Sequence, residues 1–223
     1  MNDLIIQAIA LLNNNGFEFA ICGGFAIDLF LNEETRTHGD IDILAYWNER
    51  DIIIEFMQSK GWQVYELCGG GKAHHITNVK QQFCYKRNIF CIKSGCSLVE
   101  LKFADEKDMY WVDFSHIGQK KLDFIEFLFN DKEDGYFLYA RNKNITRELS
   151  EAILFKDGVK YLAPEIVLLY KSTDIKREGY QADFNYAITK MSMPQKLWLL
   201  DALNIMFPDG HEWLCLLKQM NIA

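Results

Sequence analysis

The chain is poor in positive charge. Its 223 residues hold 24 lysines and arginines against 31 aspartates and glutamates, a net charge of −7. That balance has the wrong sign for a protein that grips a nucleic-acid backbone along much of its surface, because such a grip rests on clustered cations. Nucleic acid is therefore not an expected partner. A cationic small molecule, such as a polyamine or an aminosugar, is instead drawn to acidic clefts. The six cysteines (Cys22, Cys68, Cys84, Cys91, Cys96 and Cys215) include no CxxC pair, and the N-terminus lacks the basic region, apolar run and cleavage site of a secretory leader. Reduced thiols in a cytoplasm are the expectation. No apolar run reaches the ~18–20 residues that span a bilayer; even YLAPEIVLLYK is broken by Pro164, Glu165 and Lys171. There is no internal repeat and no low-complexity linker. What is present is a 49% hydrophobic share, enough at this length to build a core without disulfide staples.

Residues 2–13 place apolar side chains at helical spacing, and NNNG stops that helix. FEFAIC alternates like a strand, FAIDLFLN returns to helical spacing, DIDILAY reads as a strand, NERDIIIEFMQSKG as a helix closed by Gly61, and WQVYEL as another strand. This alternation is an α/β start. Residues 68–140 hold strand-like runs at NIFCIK, SLVELKF, MYWVDF, DFIEFLF and GYFLYA, which should extend the sheet, mostly antiparallel. From Pro164 onward PEIVLLYKS, YQADFNYAITKM, PQKLWLLDALNIM and HEWLCLLKQM carry 3.6-residue apolar periods, with Pro164 and Pro194 where a first helical turn tolerates proline. The expected organisation is a mixed-sheet α/β domain over 1–160 and a C-terminal helical bundle over 161–223.

One stretch, FAICGGFAIDLFLNEETRTHGDIDI (19–43), fits a packed core badly. Asp40 and Asp42 are two apart on a strand, so they share a face at ~6–7 Å. Like charges that close oppose folding unless a cation lies between them. Carboxylates without thiolates suit magnesium, which fills its shell with water and substrate phosphate. A polar turn at Gly39-Asp40, with Asp42 facing solvent, is the plainer alternative. The Gly23-Gly24 turn, after a strand and before a helix, leaves backbone amides at a helix N-terminus, a favourable place for phosphate. Together the two features point to a metal-bound nucleoside triphosphate.

GGFAIDLFL with TRTHGDIDI resembles the small nucleotidyltransferases of the DNA polymerase beta superfamily, and within them the branch of aminoglycoside 2''-adenylyltransferases and lincosamide nucleotidyltransferases, where the pattern runs GGWAxD then TRxHxDID; Phe25 replaces the usual tryptophan. YLAPEIVLLYKS resembles the start of the helical half in relatives of that branch. The resemblance implies a nucleotidyltransferase fold, transfer of a nucleoside monophosphate, with AMP from ATP expected, to a hydroxyl of a small acceptor such as an antibiotic, and two magnesium ions. It also implies a third carboxylate from a neighbouring strand. KKLDFIEFLFND offers Asp123 and Glu126, whose odd separation puts them on opposite faces. The relatives' strand-and-hairpin context favours Glu126, leaving Asp123 as a solvated residue near the strand's start. Asp40, Asp42 and Glu126 are then the catalytic metal ligands. A protein- or tRNA-directed enzyme of toxin–antitoxin type, or a nucleotide-binding module without turnover, are the alternatives.

The resemblance further implies nucleotide contacts from Gly23, Gly24, Arg36 and Lys171. Arg36 has an equal alternative in a salt bridge to Glu33 or Glu34, and Lys171 in a helix-end charge favoured by the macrodipole. His38 reads equally as a loop-orienting residue and Asp28 as structural. Glu165 is a comfortable first-turn acid, with Asp183 of similar standing. CGGGKAHH lacks the GxxxxGK[ST] spacing of a P-loop and reads as a flexible loop. His74-His75 with Cys68 lacks zinc-site spacing and reads as a solvated or substrate-facing loop. FADEKDMYWVDF could line a pocket for a cationic sugar, an edge hairpin being the plainer reading.

Overall fold

The computed structural model describes residues 1–13, 15–81, 87–115 and 118–220; Cys84 lies outside them. The chain forms two compact units, Met1–Ile21 with Thr37–Asp131, and Cys22–Arg36 with Lys132–Ala223. It begins α1 (Asp3–Leu12), β1 (Ala20–Cys22), α2 (Gly23–Leu31), β2 (Asp42–Tyr46), α3 (Arg50–Ser59) and β3 (Gln63–Gly69), in the order the apolar periods require. The α1 helix buries Leu4, Ile5, Ala8 and Leu12, and the Asn2 side chain accepts from the Leu4 amide at 2.9 Å, an N-cap that satisfies one orphan donor. In α3 the buried stripe is Ile53, Ile54 and Met57, and the chain turns away at Gly61 with φ +77°.

The first unit continues with β4 (Lys72–His75), β5 (Ile89–Ile92), β6 (Val99–Phe103), β7 (Met109–Phe114) and the part of β8 (Phe124–Glu133) that runs through Asp131. Its strands lie in the order β1-β2-β8-β5-β3-β4-β7-β6. β2 and β8 pair in parallel, and the ladders from β8 outward through β5, β3, β4, β7 and β6 are antiparallel. The sheet is mixed. The Cys68–His75 stretch is not a flexible loop: β3 and β4 form a hairpin whose turn takes Gly69, Gly70 and Gly71 all at positive φ, a conformation only glycine adopts without strain. On one face of it Glu66 is fully buried, held by Arg50 Nη2 at 3.0 Å and His74 Nδ1 at 2.9 Å, which makes His74 a partner of a buried acid and not a solvated side chain. Burial holds the Arg50 pKa below its ordinary value, with Glu66 opposing.

The second unit gathers α2 with β9 (Tyr136–Leu138), β10 (Thr146–Glu148), α4 (Leu149–Ala152), β11 (Ile153–Lys156), β12 (Val159–Leu162), α5 (Pro164–Lys171), α6 (Tyr180–Lys190), α7 (Met193–Met206) and α8 (Glu212–Gln219). β9 pairs with β10, and β11 with β12 across an Asp157-Gly158 turn with both residues at positive φ. The α5 helix is its centre. Residues Pro164 to Leu169 are all buried, and α5 packs on α7, α6 and α2. Ser192 and Gln195 close a capping box at the head of α7, and buried Trp213 of α8 stacks on Phe184 of α6 with centroids 4.3 Å apart. Among the described residues no helix is long and apolar enough to cross a membrane, and Cys22, Cys68, Cys91, Cys96 and Cys215 are not disulfide-bonded.

Candidate active site

Strand alternation around β2 sends Ile41 and Ile43 into the core with no exposure and turns Asp40 and Asp42 to the other face. The neighbouring strand is fixed to this one by backbone: the Glu126 amide donates to the Ile41 carbonyl at 3.1 Å, and Asp42 pairs with Glu126 in the parallel register. Three carboxylates therefore converge. One oxygen from each of Asp40, Asp42 and Glu126 lies within 4.8 Å of the other two, and all three residues are half-buried. Like charges held this close oppose one another unless a cation lies between them. Hard oxygen donors, no thiolate and partial access to solvent fit a magnesium-class divalent ion, and among the described residues this is the one group of acids, histidines or cysteines so placed.

Asp123, three residues earlier, stays outside the cluster. It is not solvated: the residue is buried, its Oδ1 takes the Cys96 thiol at 3.6 Å, and Lys121 Nζ stands 3.9 Å from Oδ2. The Gly23 backbone has φ +64°, which favours glycine, and α2 starts there after an extended Cys22 whose side chain caps nothing. A phosphate would suit those first-turn amides.

Arg36 and Lys171 share a partner, Asp183. Arg36 grips the Asp183 carboxylate by two bonds, Nε to Oδ1 at 3.1 Å and Nη2 to Oδ2 at 3.0 Å, and Lys171 Nζ lies 2.9 Å from Oδ2. Asp183 is fully buried; burial pushes its pKa up, but the Arg36 and Lys171 contacts outweigh this and hold it below the ordinary value. Lys171 also stands over the Tyr180 ring at 4.1 Å, with Arg177 over the same ring at 5.2 Å. Gly179 makes room for the fork, since a Cβ there would come 2.6 Å from Arg36 Nε at a backbone φ of +82°. Asp28 accepts from the Thr35 amide (3.1 Å) and hydroxyl (2.8 Å), fixing the chain just before Arg36. His38 is buried, with its carbonyl close to Gly118. Glu165 is buried against Arg147 Nη2 (3.1 Å) and Gln195 Nε2 (2.9 Å), and burial raises its pKa despite these partners.

Sequence reasoning missed the Asp183 knot, whose two ends are 147 residues apart. No spacing rule reaches that far.

Residues 4–68 match the family model described as aminoglycoside-2''-adenylyltransferase. No curated protein sequence matches the chain significantly. Among solved structures, the antibiotic-resistance factor ANT(2'')-Ia in solution superposes with a TM-score of 0.54 at 13% identity, over 92% of each chain. ANT(2'')-Ia in complex with adenylyl-2''-tobramycin gives 0.53 at 13% identity, over 91% of this chain and 97% of that one. The lincomycin-bound lincosamide antibiotic adenylyltransferase LnuA gives 0.52 at 12% identity, over 86% and 98%. Identities this low speak for the fold, and the N-terminal match speaks for the motif. The chain thus has the α/β nucleotidyltransferase fold, and in both its opening residues and its architecture it resembles the aminoglycoside and lincosamide adenylyltransferase branch.

Proposed function

We propose that the chain transfers a nucleoside monophosphate, AMP from ATP, to a hydroxyl of a small acceptor. The observation that carries this reading is the convergence of Asp40, Asp42 and Glu126 on one sheet face of a fold shared with antibiotic adenylyltransferases. Three carboxylates that repel one another are unfavourable unless a cation is part of the working state. In the reaction the acceptor oxygen bonds to the α-phosphorus, the bond from that phosphorus to the pyrophosphate oxygen breaks, pyrophosphate leaves with the electron pair, and the hydroxyl proton ends in solvent. Magnesium held by Asp40, Asp42 and Glu126, two ions in this reading, would neutralise phosphate charge and make the attacking hydroxyl more acidic.

The remaining roles belong to binding and orientation. The Gly23-Gly24 turn offers amides to phosphate. Arg36 and Lys171 supply charge for the β- and γ-phosphates, and Asp183 keeps both side chains ordered while leaving the trio one net positive charge. The acceptor is a hydroxylated small molecule, and the net charge of −7 favours a cationic one. Tobramycin and lincomycin, seen with the structural neighbours, are the first candidates.

The test is a panel of hydroxylated acceptors that includes both antibiotics, each incubated with magnesium and labelled ATP, GTP, CTP or UTP. ATP is expected to give a labelled adduct and stoichiometric pyrophosphate. Absence of adduct with every nucleotide and acceptor refutes the reading.

A further inference from the structure

Glu126 is where the carboxylate cluster meets a second group of side chains on the same sheet face. Residues directly paired across a ladder point to one side. The registers join Asp42 on β2 to Glu126 on β8, then Phe90 on β5, Tyr65 on β3 and His75 on β4. Beyond Glu126 that row is aromatic. Phe90 stacks on Tyr65 with centroids 5.1 Å apart, and Tyr65 on His75 at 4.7 Å. Phe124, two residues before Glu126 and therefore on its face, stacks on Phe90 at 5.9 Å. Phe90, Phe124 and Tyr65 are buried, so they are walls and not contacts. Phe114, the last residue of β7, is different: it stands edge-on to Phe90 at 5.5 Å and to Phe124 at 6.0 Å, yet keeps 38% of its surface exposed.

Strand order gives this exposed ring a direction. β1, which leads in sequence into Gly23-Gly24, flanks β2 on one side; β8 and then β5 lie on the other. An in-line displacement brings the acceptor oxygen to the α-phosphorus opposite the leaving pyrophosphate. Within this unit, an acceptor that reaches the carboxylates from the β5 side passes over Glu126 and Phe90, a strand's width of about 5 Å apart.

We propose that Phe114, seated on Phe90 and Phe124 beside Glu126, is the surface on which the acceptor lays an uncharged ring face. This rests on the transfer reading above. The rings offer no hydrogen bond to an amine, and at the far end of the row burial and the neighbouring His74 lower the His75 pKa against the opposing pull of Asp108, which disfavours its charged form. A cation over the Phe114 face would lose its attraction on Phe114→Leu, whereas an apolar ring keeps most of its contact with leucine.

The experiment is calorimetric titration of the full chain with magnesium and a non-hydrolysable ATP analogue present. Phenyl β-D-glucopyranoside is the ring-bearing probe and 1,3-diamino-2-propanol the ringless cationic one. The glucoside is expected to saturate, to weaken roughly tenfold in Phe114→Ala, the effect of ~1.4 kcal/mol, and to weaken less than about threefold in Phe114→Leu. The diamine should show no dependence on residue 114. In the unmutated chain, Overhauser contacts from the glucoside's pyranose protons to aromatic side chains give a readout that does not require a folded variant. Lack of saturation, lack of those contacts, or equal losses in the alanine and leucine variants overturns the proposal. Failure of the transfer reading would show separately, as absence of adduct in the nucleotide panel.

Discussion

Replacing Asp183 with asparagine removes one charge from a buried knot of three. Lys171 is left with its ammonium in a site where its side chain is 7% exposed, and Arg36 with a guanidinium that at 29% exposure can rehydrate in part. Breaking a buried ion pair from one side costs ~3–5 kcal/mol. The partial access of Arg36, and the oxygen that asparagine still offers, put the expected loss near ~3 kcal/mol, the lower end of that range. For a chain of this size each kcal/mol moves the midpoint by ~2–4 °C, so Tm should fall by about 6–12 °C. The sign with pH is fixed by the direction of the Asp183 shift. Its folded pKa lies below the ordinary value, so its contribution is fully present above the unfolded carboxylate pKa of ~3.9 and is lost as pH falls through the lower folded value. Thermal melts by circular dichroism from pH 7 down to acid should show the wild-type and Asp183→Asn midpoints converging below about pH 4. A loss under ~1 kcal/mol at pH 7 would place the pair among surface bridges, and a gap that widens in acid would reverse the sign; either refutes the reasoning.

Asp40→Asn should abolish transfer, by ~100-fold or more, while leaving the metal-free melting temperature unchanged or higher, since it relieves a like-charge contact; a clear loss of metal-free stability would make the cluster structural. Glu126→Gln should weaken magnesium-dependent ATP binding and remove turnover, whereas Asp123→Asn should leave both within about twofold, and the reverse pattern in a titration would move the ligand role one face over. Glu66→Gln should lower stability by ~3 kcal/mol, because Arg50 and His74 lose a buried partner, with the ATP constant unmoved in the folded fraction; denaturant melts alongside transfer kinetics separate the two effects.

The parts of this fold that were legible are those set by local period and by backbone exceptions. The helices after Pro164 announce themselves through 3.6-residue apolar spacing and a proline at the first turn, and the structure has all four. At Cys68–His75 a run of glycines reads locally as a flexible loop, whereas three consecutive positive φ values make it a built turn between two strands. β11 and β12 went unread, although their Asp157-Gly158 turn between β-rich runs is a hairpin signal of the kind that sequence alone can supply.

Other features depend on where strands sit, and no local pattern carries that. Alternation along MYWVDF shows that Tyr110, Val112 and Phe114 share a face, but only the order β2-β8-β5-β3-β4-β7 shows that this face is the one carrying Asp42 and Glu126. The choice between Asp123 and Glu126 lies between these cases. Parity puts the two acids on opposite faces, so one of them must point away from Asp42, yet parity cannot say which. The parallel pairing of Asp42 with Glu126, secured by the bond from the Glu126 amide to the Ile41 carbonyl, supplies the missing bit. A slip of one residue in that register would bring Asp123's face to the cluster and send Phe124 and Glu126 to the far side, so the carboxylate cluster and the aromatic wall beside it stand or fall together.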